Sequence, residues 1–279
     1  MIRRMRPEDI PAAMLLKQSA GWNQTEQDWA NVLALEPEGC WVYEAEGKVA
    51  GSTTVVCYGR DLAWIGMVLV LPECRGRGYA RALMEHALGF LEQRRVRVVR
   101  LDATDMGRPL YAKLGFRDEC AIERWAAAAV AARRPRQPLC VVALENVARM
   151  AALDRRAFGA DRSGVIERLL GCFPAQSLRA QKGFVMARPG SGAHFVGPCV
   201  AEEAATARGL IETLLDRLVG RAVFWDLLPE NPEAVRMAGE LGFECRRRLA
   251  RMVLGEAEHI AATRGDPALQ FATAGFEYG

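Results

Sequence analysis

The sequence of 279 residues lacks both long apolar runs and a strong charge of one sign. No apolar run approaches the ~20 residues that a membrane span needs, so we expect no span. Lys and Arg number 37 against 34 for Asp and Glu, a net charge of +3. This balance argues against a dedicated nucleic-acid-binding protein. Pro7, Glu8 and Asp9 follow the basic start in place of an apolar core, so we expect no secretory signal and a cytoplasmic protein.

The cysteines and histidines are not grouped as a metal site or a disulfide framework requires. There are eight cysteines but no C-x-x-C pair, and the three histidines are far apart. Metal ligands of these types normally occur at short, characteristic spacings. We therefore expect no metal, and we interpret the cysteines as free thiols in a reducing compartment.

The composition is that of a folded protein with a break near its middle. Hydrophobic residues make up 51% and charged residues 25%, and the length allows two domains of moderate size. Three arginines and two prolines over residues 133–138 are typical of an exposed linker. We predict domains over residues 1–132 and 140–279, joined by a linker over 133–139.

Helical and strand patterns alternate in the first half. Apolar spacing predicts a helix over residues 8–19, and Thr25 followed by Asp28 predicts the start of a second helix. The pattern then predicts four strands, at residues 40–45, 49–58, 63–71 and 96–103.

A repeat at an offset of 127 residues relates the two halves. The apolar face of the helix that begins at Ala80 is matched in the segment that begins at Ala207. Leu114-Gly115-Phe116 is matched by Leu241-Gly242-Phe243. Because both features keep one offset, we interpret the halves as related domains.

The segment Arg75-Gly76-Arg77-Gly78-Tyr79-Ala80 follows a predicted strand and opens an amphipathic helix. Its glycines allow a ligand to approach the backbone, and the first N–H groups of a helix have no partner within the helix. The helix dipole and the arginines add positive charge, so the loop suits a pyrophosphate. A tight turn with solvated arginines is the alternative.

The first half resembles the GNAT superfamily of N-acetyltransferases. The resemblance rests on Arg-x-x-Gly-x-Ala at residues 75–80 after one strand and on Tyr-x-x-Leu-Gly-Phe at residues 111–116 after the next. The second half is similar to a degenerate copy. The resemblance implies an α/β (α+β) fold with two tandem GNAT-like domains, each a mixed, mostly antiparallel twisted sheet flanked by helices.

The resemblance also implies acetyl-CoA as a co-substrate, held by the loop and by the strand before it. The implied residues are Met67, Val68, Val70, Arg75, Gly76, Arg77, Gly78, Tyr79 and Ala80. In this family the two central strands separate to hold the thioester. A tyrosine at the position of Tyr111 commonly protonates the leaving thiolate, and a phenol is a workable donor. The alternative for Tyr111 is a packing role beside Phe116.

The general base is less defined by the sequence. Asp102 is the preferred candidate because it lies in an apolar strand, where burial would raise its pKa. Asp105 and Glu44 are further candidates, and a water relay without a single base is also open. A purely structural carboxylate is the alternative reading of Asp102.

Two segments are candidates for the acceptor site. The family resemblance implies the region between the first two helices, with Trp22 and Asn23. Asp161 and Arg162, near the start of the second domain, suit a zwitterionic or amine substrate, with a helix-end ion pair as the alternative.

The second half lacks the residues of the predicted chemistry. At the offset of 127, Glu202 and Glu203 replace Arg75 and Gly76, and Ala238 replaces Tyr111. Carboxylates would repel a pyrophosphate, so we expect this domain neither to bind CoA nor to catalyse. It could shape the acceptor site, form a homodimer or bind another ligand.

These observations predict an acetyl-CoA-dependent N-acetyltransferase. The acetyl group would pass to a primary amine, of a small molecule or a peptide, by direct attack in a ternary complex. The first domain would be catalytic and the second accessory, with no nucleic acid or membrane as partner. The alternative is a non-catalytic acyl-CoA-binding sensor or regulatory module, which would not need Tyr111.

Overall fold

The computed structural model describes residues 1–132 and 147–279. The predicted linker over 133–139 lies outside the described residues, so the domain boundary stays a prediction.

Residues 1–132 form a helix–strand alternation close to the predicted one. The strands are β1 (Ile2–Arg4), β2 (Cys40–Ala45), β3 (Lys48–Tyr58), β4 (Leu62–Val70), β5 (Val98–Ala103) and β6 (Arg117–Ala127). The helices are α1 (Ile10–Ser19), α2 (Glu26–Leu35), α3 (Tyr79–Gln93) and α4 (Arg108–Lys113). Helix α2 begins as predicted, because Thr25 N–H donates to Asp28 Oδ2 at 2.7 Å and Asp28 N–H donates back to the threonine hydroxyl.

Residues 147–279 repeat most of this order. The strands are β7 (Ser177–Ala180), β8 (Gly183–Arg188), β9 (His194–Ala201), β10 (Val223–Leu227), β11 (Glu244–Gly255) and β12 (Gln270–Ala272). The helices are α5 (Val147–Phe158), α6 (Ser163–Cys172), α7 (Ala204–Asp216), α8 (Pro232–Glu240) and α9 (Ala257–Ala262). The predicted internal repeat is confirmed, since each half has two helices, a set of antiparallel strands, a long helix, a strand, a short helix and a final long strand.

The strands of both halves form one continuous sheet. Their order is β1-β2-β3-β4-β5-β11-β6-β10-β9-β8-β7, and β12 pairs with β9. Strand β4 runs parallel to β5 and β9 runs parallel to β10, whereas the other pairs of named strands are antiparallel. The mixed, mostly antiparallel sheets flanked by helices are therefore confirmed.

The last long strand of each half lies in the other half's part of the sheet. Strand β6 pairs with β10, β11 pairs with β5, and the two exchanged strands pair with each other. The exchange is reciprocal, so neither half completes its sheet with its own residues. This continuity was not predicted from the sequence, because the local pattern of a strand does not identify its neighbour.

Helices cover both faces of the sheet. On β4, Ala63 and Ile65 face one core, whereas Leu62 and Trp64 face another, as the two-residue period of a strand requires. Helix α3 packs on the first core through the buried side chains of Leu83, Met84, Ala87 and Leu91. Burial of each large side chain contributes about 1.5–3 kcal/mol. The second core is shared by both halves, because residues of α1, α2, α5 and α6 contribute to it.

Among the helices of the described residues, none has the length and apolar character needed to cross a bilayer.

Candidate active site

The two central strands of the first half separate along their length. Strand β4 pairs with β5 over Leu62–Trp64 and Val98–Arg100, and in the described residues no strand pairs with this edge of β4 beyond Trp64. A register shift between β3 and β4 brings Met67 and Val68 opposite the single residue Thr53, and Met67 has a φ of +51°. The Ser52 hydroxyl donates to the Met67 carbonyl at 2.8 Å and holds this bulge. The result is an open strand edge that faces a slot.

A pocket of about 600 Å³ occupies this slot and extends past it. Its first wall is formed by β4 and the glycine loop, and the sequence-predicted residues that line it are Met67, Val68, Val70, Arg75, Gly76, Gly78, Tyr79 and Ala80. Arg77 is exposed and is absent from this lining. The structure therefore brings all but one of the predicted cofactor residues to one pocket.

The loop is shaped by glycines with left-handed backbone angles. Gly76 has a φ of +75° and Gly78, the residue before α3, has a φ of +82°. A side chain added at either position would enter open space, with no heavy atom within 4 Å. The loop thus keeps its backbone accessible at the start of a 15-residue helix, which is where an anion is favoured.

Tyr111 lies in α4 on the opposite wall of the slot. Its ring is mostly buried, 6.3 Å from the ring of Phe116. Its hydroxyl has no hydrogen-bond partner among the residues that the structure describes, although the side chain lines the pocket. Burial raises the pKa of the phenol, so it stays protonated at neutral pH and can donate a hydrogen bond.

Asp102 lines the pocket, but the structure shows it as an ion-paired carboxylate and not as a free base. Its carboxylate is buried and accepts two hydrogen bonds from Arg251 on β11, at 2.9 and 3.2 Å. The repeat contains a matching pair, because Asp226 on β10 accepts two bonds from Arg124 on β6, at 2.8 and 2.6 Å. The second half keeps this pair although it lacks the glycine loop. This recurrence favours a role in joining the exchanged strands over a role in the chemistry.

The two other carboxylates considered from the sequence, unlike Asp102, do not line the pocket. Glu44 accepts a hydrogen bond from Arg3 at 2.7 Å, on the first strands of the sheet. Asp105 lies in the turn before α4.

Trp22 lines the pocket as predicted, but Asn23 does not. The Asn23 amide is buried, donates to the Ala193 carbonyl at 2.9 Å and accepts from the N–H groups of Gly192 and Ala193 at 3.0 Å. It fixes a loop of the second half against the first, which explains its burial without a ligand.

The structure does not bring Asp161 and Arg162 to the pocket, so we do not retain them as candidate substrate contacts. Arg162 is buried in a two-bond ion pair with Asp154 and donates to the Gly279 carbonyl at 2.5 Å. Asp161 is exposed and accepts from the Ser163 N–H at 2.9 Å. Neither residue lines the pocket, and Arg162 instead anchors the last described residues of the chain.

Distant segments complete the far end of the pocket, and the sequence analysis missed them. The residues are Gln24, Arg124, Arg247, Leu249, Phe276 and Glu277. We call this region the acceptor end. Arg124 and Arg247 come from the exchanged strands, and the last two come from the segment after β12.

The segment over residues 274–279 is held against the first half. Trp64 Nε1 donates to the Phe276 carbonyl at 3.0 Å, and the Tyr58 hydroxyl donates to the Tyr278 carbonyl at 2.7 Å. At Gly66 on β4, an added Cβ would lie 3.0 Å from Glu277 Cα. This close approach seats Glu277 beside the open part of β4.

Glu277 is the buried carboxylate of the acceptor end. It forms an ion pair with Arg188, which also binds Asp28 at 3.0 Å, and it accepts from Gln24 Nε2 at 3.1 Å. Burial raises the pKa of Glu277, while Arg188 opposes the rise. A carboxyl group with a raised pKa at the edge of a pocket is suited to proton transfer near neutral pH.

The corresponding slot of the second half is filled. Strands β9 and β10 pair only over His194–Val196 and Val223–Trp225, and β12 then pairs with the free edge of β9. Trp225 Nε1 donates to the Phe271 carbonyl at 2.6 Å, which fixes this segment in place.

The loop before α7 is also unlike the glycine loop. Glu202 and Glu203 lie there in ion pairs with Arg156 at 2.7 Å and Lys182 at 2.5 Å. Ala238 is in the core. In the described residues no group of three or more His, Cys, Asp or Glu side chains is arranged to hold a metal ion.

Comparisons with known proteins agree with this architecture. A family model described as "Acetyltransferase (GNAT) family" matches residues 8–116, and one described as "Acetyltransferase (GNAT) domain" matches residues 150–264. No curated protein matches the chain.

Three solved structures share the fold over nearly the whole chain. "A Putative Acetyltransferase" from Pyrococcus horikoshii is 21% identical, with a TM-score of 0.85 over 100% of this chain and 95% of that one. A GCN5-related N-acetyltransferase from Sphaerobacter thermophilus is 15% identical, with a TM-score of 0.64 over 98% and 96% of the two chains. A tandem GNAT protein from the clavulanic acid biosynthesis pathway is 17% identical, with a TM-score of 0.63 over 91% and 98%. At these identities the likeness is one of fold.

Proposed function

The chain belongs to the GNAT acetyltransferases through both of its halves, and we propose that it transfers an acetyl group from acetyl-CoA to a primary amine, with the chemistry in the first half. The observation that carries this proposal is the single pocket that runs from the glycine loop, past the free Tyr111 hydroxyl, to the acceptor end.

The residues of the first half fit acetyl-CoA. The loop offers open backbone at Gly76 and Gly78, where added side chains would enter the pocket. Arg75 lies at the start of this loop and supplies positive charge for a pyrophosphate. The open edge of β4 offers backbone groups to an extended amide-containing arm and to the carbonyl oxygen of a thioester.

Acetyl-CoA supplies a thioester, whose C–S bond breaks as the amine nitrogen forms the new C–N bond. Tyr111 is the group of this chain that can assist the departing sulfur. Its hydroxyl lines the slot without a competing partner, and burial keeps it protonated. We therefore assign it the role of proton donor to the thiolate.

Glu277 is our candidate for the group that receives the proton of the attacking amine, in place of Asp102. Both carboxylates line the pocket, but Glu277 lies at the acceptor end and one of its oxygens accepts from the neutral amide of Gln24, whereas Arg251 binds both oxygens of Asp102. Arg188 and Gln24 also fix its orientation. The raised pKa brings Glu277 closer to the pH at which an amine must lose a proton.

The second half serves as an accessory domain in this proposal. It supplies Arg247 and Leu249 through β11 and Glu277 through the segment after β12. Its own slot holds β12, and carboxylates stand where a pyrophosphate would lie. One acetyl-CoA site per chain follows from this arrangement.

The test measures release of the CoA thiol by the full chain, with acetyl-CoA and a panel of primary amines. We expect at least one amine to accelerate release, and Tyr111→Phe to slow it while acetyl-CoA still binds. Acetyl-CoA binding without acceleration by any amine would favour the sensor over the enzyme. Absence of acetyl-CoA binding would contradict both.

A further inference from the structure

The arginines of β11 differ in whether they have a partner. The strand carries four: Arg246, Arg247, Arg248 and Arg251. Three of them have a carboxylate oxygen within 2.9 Å, on Glu244, Glu123 and Asp102 respectively. Arg247 alone has no ion-pair or hydrogen-bond partner for its guanidinium in the described part of the chain. It is also the one of the four that lines the pocket.

A β-bulge directs Arg247 to this position. Against β6, the register passes from Cys245 opposite Trp125 to Arg247 opposite Arg124, so Arg246 is the extra residue. Such bulges re-aim side chains and are over-represented beside active sites. Without the bulge, the two-residue alternation would turn Arg247 to the other face of the sheet.

The bulge sets Arg247 opposite Arg124, and Asp226 lies on the far side of Arg124, on β10. Like charges in direct cross-strand pairs are destabilising. Asp226 binds Arg124 through two hydrogen bonds, and neither Asp226 nor Asp105 forms a hydrogen bond with Arg247. Arg247 is exposed at the pocket; partial desolvation and the charge of Arg124 lower its pKa, and the two carboxylates oppose this. An anion bound in the pocket would relieve this repulsion.

Arg247 belongs to the acceptor end and not to the glycine loop. The charged groups close enough to affect it are Arg124, Asp105 and Asp226, and none of them is in the loop. Arg124 also stacks over the ring of Phe276, 4.4 Å from its centre, next to Glu277. An anion bound at Arg247 would therefore lie near Glu277, the proposed acceptor of the proton of the attacking amine.

The acceptor end thus has two centres of opposite sign. Two cations, Arg124 and Arg247, line the pocket here, whereas the nearby carboxylates of Asp226 and Asp105 do not line it, so the charge that faces the pocket is positive. Glu277, Asp28 and Arg188 carry one negative unit when both carboxyl groups are ionised. A molecule with an ammonium and a carboxylate a few bonds apart matches both centres at once.

We propose that the acceptor is a small amino acid, whose carboxylate binds Arg247 while its amine lies at Glu277. This inference rests on the proposed function and specifies its substrate class. A guanidinium binds a carboxylate through two parallel hydrogen bonds, which fixes orientation as well as supplying affinity. A simple amine would leave the positive centre uncompensated.

The first test compares matched acceptors on the unaltered chain. Amino acids are assayed beside their amides and their decarboxylated amines, with β-alanine and γ-aminobutyrate added to vary the spacing, by release of the CoA thiol. We expect kcat/KM for the best acid to exceed that of its amide by roughly 10- to 100-fold, the scale of a lost charge-assisted interaction. Equal or better turnover of the amides overturns the inference and leaves the proposed function intact.

The second test uses variants of β11. Arg247→Gln should raise KM for the acid by roughly 10- to 100-fold and leave KM for acetyl-CoA and for the uncharged amide unchanged. Arg247→Lys should restore part of the preference, because the charge remains but the two-bond geometry is lost. Arg248→Gln is the matched control, since Arg248 lies on the same strand but is paired with Glu123 away from the pocket.

The outcomes distinguish the inference of an amino-acid acceptor from the proposed acetyltransferase function. An equal loss for acid and amide in Arg247→Gln, or a similar loss in Arg248→Gln, overturns a carboxylate site at Arg247. If Arg247→Gln does not fold, the comparison of acceptors on the unaltered chain still decides. If acetyl-CoA binds but no amine of either kind is acetylated, the proposed function fails and this inference falls with it.

Discussion

Replacing Glu277 with glutamine tests the assignment of the base most directly. Glutamine keeps the shape of the side chain and cannot accept a proton from an amine. We expect kcat/KM to fall roughly 10²- to 10⁴-fold, the range of general base catalysis.

The effect on stability should be small, and the structure gives the reason. Loss of one partner from a buried ion pair usually costs about 3–5 kcal/mol, because the other charge stays buried alone. Here Arg188 keeps Asp28 at 3.0 Å, so its charge remains compensated. We expect a destabilisation of about 1–2 kcal/mol, the scale of one weakened hydrogen bond to a charged group.

The pH profile supplies an independent check. The base must be ionised to act, so activity falls as the pH drops through its pKa. Because burial raises the pKa of Glu277, the acid limb of kcat/KM should lie above the ordinary value of about 4.3. This limb should be absent in Glu277→Gln.

Asp28→Asn is the comparison variant: it removes a negative charge from the same ion-pair group outside the pocket and also weakens the Thr25–Asp28 cap of α2, so it should lose stability but keep the acid limb. Thiol release and thermal unfolding are measured for both variants. If Glu277→Gln retained kcat/KM within threefold, or if both variants lost activity and stability equally, Glu277 would not be the base.

Four further outcomes are expected. Tyr111→Phe keeps the packed ring, so turnover should fall roughly 10²- to 10⁴-fold in the thiol-release assay with acetyl-CoA affinity unchanged; an unaltered rate would leave Tyr111 a packing role. Gly78→Val should abolish acetyl-CoA binding in calorimetry. Gly220→Val is the control, because Gly220 has a similar φ of +75° and also faces open space; this variant should have comparable backbone strain and still bind acetyl-CoA. Calorimetry of the unaltered chain should give one acetyl-CoA per chain. Two comparable sites would refute the inference that β12 blocks the slot of the second half. The first 134 residues expressed alone should be inactive because β5 and β6 would lack β11 between them; full activity of this fragment would make the second half dispensable.

The elements and the cofactor end of the pocket could be predicted because their signals are local. Apolar periodicity gave β2, β3, β4 and β5 to within about two residues, although it did not give β1 or β6. The glycine loop and Tyr111 lie within 40 residues of each other. Strand, turn and helix start are set by neighbouring residues, so a single stretch of sequence is sufficient.

The acceptor end could not be predicted because its residues meet only through long-range strand exchange. Asp102 in an apolar strand is compatible with a buried base and with a buried ion pair, and the decision depends on Arg251, which is 149 residues away. Arg162 was misassigned for the same reason, since Asp154 and Gly279 take up its charge and its donors. One sequence signal of the two matching ion pairs was present: their arginines, Arg124 and Arg251, are separated by the repeat offset of 127.

The exchange of β6 and β11 also has a consequence for synthesis on the ribosome. At about 5–20 residues per second, the 149 residues between Asp102 and Arg251 take roughly 7–30 s to make. For that time β4 pairs with one edge of β5, but the edge that β11 will cover stays open, and an apolar unpaired edge is prone to join other chains. We therefore expect the nascent first half to be prone to aggregation until the last long strand emerges.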